Sequence, residues 1–222
     1  MKKYLFVFGV ILSTIVSLFS YRYLMGFGFR PPTILANIFV TPWLNIHITG
    51  AATALLLGPL NFVDLIRRSS PAIHRWSGRI YILSCFLGAT GGAVIAFGTF
   101  AGPIAVAGFV LLDACWITAN VQGWRSARQH QWQAHRAWMI RSYAMTFGAV
   151  NLRVYLQIAM AFHLPFLQSY RLITFLAWMP NLLLAELYIR KTALQRRSPK
   201  AAVVSMVHES RDRPVEEYPE PR

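Results

Sequence analysis

Long apolar stretches alternate with short polar breaks along most of the chain. They cover approximately residues 4–25, 43–66, 77–99, 103–124, 137–162 and 170–190. Each suffices for a helix to cross a bilayer, which takes about 20 residues. The pattern predicts an all-α integral membrane bundle of about six transmembrane helices within residues 1–197. Residues 26–42, with Arg30-Pro31-Pro32 and Thr41-Pro42, are broken by proline and glycine and read as an external loop. From Ser198 to Arg222 the chain turns to Pro, Glu, Arg and Ser with no apolar period, which predicts a disordered cytoplasmic tail. Lys2-Lys3 before the first stretch also suits a secretory signal peptide. That stretch is long for a signal core and no small-residue cleavage pattern follows, so it reads as an uncleaved first span.

Charge adds a direction to this pattern. Lys2 and Lys3, then Arg67, Arg68, Arg75 and Arg79, then Arg125, Arg128, Arg136 and Arg141, then Arg190, Lys191, Arg196 and Arg197 all fall on one side if the spans alternate. The opposite connections hold little beyond Arg30, and by the positive-inside rule both termini are cytoplasmic in an inner membrane. The composition agrees: 55% of residues are hydrophobic and only 14% charged, against about a quarter charged in soluble domains. The net charge of +14 does not indicate nucleic acid, because the basic residues sit between apolar runs and not on one solvent-facing patch. Cys85 and Cys115 lie inside apolar helices, where free thiols pack as small hydrophobes.

Against this background the polar residues inside the spans carry the chemistry. At 100° per residue, His135, Met139, Ser142, Thr146, Arg153 and Gln157 share one face of the fifth span, a stripe that lipid would not solvate. Counting inward from the external ends places Asp113 and Arg153 at depths of roughly 15 Å and 14 Å, so the two are expected to pair. Asn120 and Thr146 each lie seven residues, close to two turns, toward the cytoplasm from those charges. Asp113, Asn120, Thr146 and Arg153 therefore form a candidate polar seam between the fourth and fifth spans. It serves either as an ion pair that sets helix register or as a cavity for a proton, a small molecule or a quinone headgroup.

The third and fifth spans also begin alike. HRWSGRIY (74–81) and HRAWMIRSY (135–143) both start His-Arg and both contain Trp-x-x-Arg-x-Tyr. Either the two hairpins repeat in parallel, or Trp, Tyr and Arg simply mark a membrane interface. His74 and His135, with Tyr81, Arg79 and Arg141 nearby, could hold a cofactor, b-type haem with two axial imidazoles being the form such bundles use. Against it, the two arginines lie deeper than the histidines by about 7 to 9 Å. His74, Gly78, Tyr81, Cys85, Gly88 and Gly92 share a face whose Gly88-x-x-x-Gly92 permits close approach. His47, with Ala51, Ala54, Gly58 and Asn61, reads as a helix contact. Asp64 has Arg67 and Arg68 beside it, and Glu186 and Arg190 are spaced to pair. No metal-ligand spacing, phosphate loop or activated nucleophile is present, which argues against soluble-type enzyme chemistry.

The sequence His47-Ile48-Thr49-Gly50, Leu57-Gly58-Pro59, HRWSGRIY, Gly108-Phe109, HRAWMIRSYA and Asn151-Leu152-Arg153 resembles the bacterial family catalogued as domain of unknown function 2306. The resemblance implies a multi-pass membrane protein and no particular activity. It departs at Asn61 and Asn151, where the family's pattern favours glutamine and threonine. Three functions follow as expectations: a haem- or quinone-linked redox protein, a proton or small-molecule transporter using Asp113 and Arg153, and a structural partner in the membrane.

Overall fold

The structure, a computed structural model, describes residues 2–26, 34 and 36–197. The tail expected at 198–222 lies outside the described residues, as do residues 27–33 of the expected external loop. The helices are α1 (Lys2–Tyr21), α2 (Val40–Leu57), α3 (Asp64–Ser69), α4 (Pro71–Phe97), α5 (Pro103–Arg128), α6 (Trp132–Thr146), α7 (Gly148–Ala161), α8 (Phe166–Leu176) and α9 (Met179–Arg197). A 3-10 turn, Pro59–Phe62, joins α2 to α3. The described residues contain no strand, and the fold is an all-α membrane bundle. Four helical stretches are long and apolar enough to cross a membrane: Val40–Phe62, Pro71–Phe97, Pro103–Arg128 and Phe166–Leu194. Phe6–Tyr21 is a shorter apolar helix.

Many large apolar side chains point outward, among them Ile15, Leu18, Leu83, Ile104, Leu172 and Leu183. Such a surface suits hydrocarbon, not water. With lipid outside, the hydrophobic effect does not bring helices together and close packing has to. The antiparallel pair α2 and α4 makes the most extensive contact in the molecule, and glycines make it possible. A Cβ on Gly88 would stand 2.9 Å from Ala51 N, one on Gly91 2.7 Å from His47 N, and one on Gly50 would run into Gly88 N and Ser84 O. Tyr81, Ile82, Cys85, Ala89, Trp116, Ala119, Met145 and Trp178 fill the centre.

Helix α1 is built into this bundle by a buried serine stripe. Ser17 donates to Ala52 O of α2 at 2.7 Å, and Ser13 hydrogen-bonds with the Tyr143 hydroxyl of α6 at 2.8 Å. Tyr21 bonds Thr53 at 2.5 Å.

Two apolar stretches read from the sequence as continuous are broken in the middle. Between α6 and α7 the ladder tightens at Phe147, where Val150 N–H donates to Phe147 O at 2.9 Å and Thr146 Oγ1 donates back to Ser142 O at 2.9 Å. Between α8 and α9, Pro180 has no N–H to offer Leu176 O. The two breaks pack together, since a Cβ on Gly148 would stand 3.2 Å from Ala177 O. An asparagine pair satisfies the carbonyls freed there. Asn181 Nδ2 donates to Ala144 O at 3.1 Å and Ala177 O at 3.3 Å, while Asn151 Nδ2 donates to Asn181 Oδ1 at 2.8 Å. Asn181→Ala takes the side-chain donor from Ala144 O and the Oδ1 acceptor from Asn151, while Ala177 O keeps Asn151 Nδ2 at 3.3 Å, and it should destabilise the protein by about 1–3 kcal/mol. A double-mutant cycle with Asn151→Ala should show coupling of about 1 kcal/mol in unfolding titrations, and additive effects would refute the clamp.

The chain divides into two compact units, one ending at Ala185 and the other starting at Glu186. In the second, Arg190 Nε lies 3.6 Å from Glu186 Oε1.

Candidate intramembrane polar site

Helices α4, α5 and α6 bring Tyr81, Asn120, Ser142 and Thr146 into one hydrogen-bonded group with almost no exposure. The Tyr81 hydroxyl bonds Ser142 Oγ at 2.8 Å and Thr146 Oγ1 at 3.0 Å, and Ser142 Oγ donates to Asn120 Oδ1 at 3.2 Å. Asn120 Nδ2 donates to Trp116 O at 2.9 Å. Helical spacing explains the convergence. Ser142 and Thr146 are one turn apart, and Tyr81 sits one turn from the buried Cys85. Asn120 and Thr146, expected in one seam, do meet here, with Ser142 and Tyr81 between them. Tyr81→Phe should cost about 1–3 kcal/mol, because it strips a partner from two hydroxyls that water cannot reach. Thermal unfolding in detergent would check this, and no loss of stability would mean that the network is not cohesive.

The charged half of the expected seam is arranged differently. Asp113 and Arg153 do not form an ion pair. Arg153 Nη1 donates to Ala149 O at 2.8 Å and Nη2 to Ser20 Oγ of α1 at 3.0 Å. Matched depth did not bring them together: Arg153 faces α1, where Nη2 meets Ser20 Oγ. Gln157 is exposed, whereas Ser142 and Thr146 of the same expected stripe are buried.

Asp113 is 5% exposed, and its carboxylate has no hydrogen bond or ion pair among the described residues. It faces Gly92 of α4, beside His47 of α2. A Cβ on Gly92 would stand 2.9 Å from Asp113 Oδ2 and 3.0 Å from His47 Nδ1, so both groups converge on a gap that only glycine leaves. His47 Nδ1 donates to Gly88 O at 2.7 Å, which fixes the tautomer and leaves Nε2 as an acceptor when the ring is neutral. Arg153 acts electrostatically on the same ring. The sequence signal for it was the small-residue face of α2, which packs on Gly88 and Gly92 and sets His47 beside residue 92.

At the other end of the bundle the repeated motif has repeated geometry. Arg79 Cζ lies 4.9 Å over the Trp76 ring and Arg141 Cζ 4.5 Å over the Trp138 ring. The tyrosine two positions on turns inward in both copies, Tyr81 to Ser142 and Tyr143 to Ser13. The arginines thus stack on their own tryptophans, as interfacial residues do. His135 Nδ1 donates to Gly123 O at 2.8 Å, and His135 acts electrostatically on His74. Among the described residues no group of three or more His, Cys, Asp or Glu could hold a metal ion.

A lipid-facing exterior, glycine-mediated helix contacts and a polar interior define a multi-pass all-α membrane protein. The chain belongs to the family described as Predicted membrane protein (DUF2306), which matches residues 44–189. Neither the curated proteins nor the solved structures contain a match to it. The family match begins after α1, so Ser20, the partner of Arg153, comes from outside it.

Proposed function

We propose that the protein moves protons, alone or with a small solute, across an inner membrane that it crosses six times with both termini cytoplasmic. Asp113 is the proton-binding group. The observation that carries this reading is the Asp113 carboxylate itself, buried against Gly92 with no partner. Such a group costs several kcal/mol as a bare anion in a membrane interior, so it requires a proton or a cation. His47 borders the same gap through Nδ1, which is committed to Gly88 O, and its Nε2 is the ring's proton-accepting atom. Toward the cytoplasm, Tyr81, Ser142, Asn120 and Thr146 offer a chain of hydroxyl and amide groups. Asp113 and Asn120 are about 10 Å apart along α5, too far for one hydrogen bond. Trp116 lies between them on the same face, so transfer requires water admitted past its indole. This is the gating step that alternating access needs.

The reading is tested with purified protein in liposomes carrying an internal pH dye. An imposed potential should drive acidification faster than in empty vesicles. Rates equal to those of empty vesicles under every imposed gradient would sink the proton reading.

A further inference from the structure

We infer that the cytoplasmic head of α4 holds the phosphate of an acidic phospholipid among His74, Arg75, Arg67 of α3 and His135 of α6. Nδ1 of His74 is buried and has no hydrogen-bond partner among the described residues. A polar atom left unpaired costs about 1–3 kcal/mol, a deficit that a bound anion relieves once the half-buried ring turns toward it. Arg75 follows His74 on α4 and Arg67 lies on α3, which packs against α4, and Arg67, Arg75 and His135 all act electrostatically on the ring. His135 commits Nδ1–H to Gly123 O, so its other nitrogen remains for a ligand. The one carboxylate nearby, Asp64, is engaged by Arg67 at 2.7 Å. Arg67, Arg68, Arg75 and Arg79 against Asp64 leave this end strongly positive.

A soluble anion would need only the basic groups. Here exposed apolar side chains adjoin them: Leu65 is 73% exposed, Ile73 59% and Trp76 63%, with Arg79 stacked on the indole. Basic groups for a headgroup beside apolar ones for its chains match an anionic lipid of the cytoplasmic leaflet.

Native mass spectrometry of the full chain in detergent, titrated with phosphatidylglycerol, phosphatidylcholine or inorganic phosphate, tests this. Phosphatidylglycerol should bind at least about fivefold more tightly than phosphatidylcholine. Arg75→Gln and His74→Gln should each weaken that preference about fivefold, and Arg75→Lys should keep most of it. Both substituted side chains reach the surface, and thermal unfolding of the lipid-free variants identifies any that misfold. Equal binding of the two lipids would overturn the assignment, as would full retention of the preference in both folded variants. Inorganic phosphate that displaces phosphatidylglycerol at equal concentration would replace the lipid with a soluble anion. A Soret band on hemin titration that vanishes in His135→Ala would replace it with haem.

Discussion

Asp113→Asn is expected to reduce proton movement in proteoliposomes to the level of empty vesicles while leaving the bundle at least as stable as the parent. The substitution keeps the shape of the side chain and removes its ability to exchange a proton. Its effect on stability separates the functional carboxylate from a structural one. Were Asp113 the partner of Arg153, removing its charge would strand a buried guanidinium and cost about 3–5 kcal/mol. Arg153 instead uses Ala149 O and Ser20 Oγ, and Asp113 has no partner to lose. An unpartnered buried acid is a group kept at the expense of stability, the usual mark of a site. Unfolding titrations of the two proteins measure the sign. A loss above about 2 kcal/mol would assign the carboxylate a structural role.

Gly50→Ala should produce the largest stability loss of any alanine substitution among the described glycines, above about 3 kcal/mol. The added carbon would collide with Gly88 N and Ser84 O, and its third neighbour, Gly88 Cα, is 2.9 Å away. All three are backbone atoms of α4, so no rotamer change relieves the clash and the helices must separate. Separation also loosens the contacts of Gly88 and Gly91 and moves His47 away from Asp113, so proton movement should fall with stability. Gly9→Ala on α1 is the control, since its nearest neighbour is Phe147 Cε2 at 3.9 Å. That change should be neutral or stabilise by about 0.5–1 kcal/mol through helix propensity. Thermal unfolding in one detergent compares the two, and equal melting temperatures would refute the close α2–α4 crossing.

Much of the site was legible residue by residue, and little of it pair by pair. Burial of Asp113, Asn120 and Thr146 follows from placing polar groups inside apolar spans, and the Trp-x-x-Arg-x-Tyr repeat carried its stacking geometry within one helix. Spacing within a helix is enough for such features. The Asp113–Arg153 pairing failed because matched depth does not fix which neighbour each side chain faces, and Arg153 turns to Ser20 of α1. Asn181 was overlooked because its role is to satisfy Ala144 O and Ala177 O, carbonyls freed by breaks whose positions become clear only once two helices cross. His47 was read as a contact residue, which it is, through Gly88 O. Its position beside Asp113 depends on how α2 and α5 both meet α4.

By itself the sequence determined the all-α membrane class, the family and the identity of the residues that cannot face lipid. Hydrophobic length and the cost of burying polar groups act locally and leave their pattern in the chain. Only the tertiary structure decided which of those residues are partners. That choice depends on the rotation of each helix about its axis, and small-residue contacts and backbone breaks set it jointly for several helices at once. It placed Arg153 on Ser20, joined Tyr81 to Ser142 and left Asp113 alone with His47.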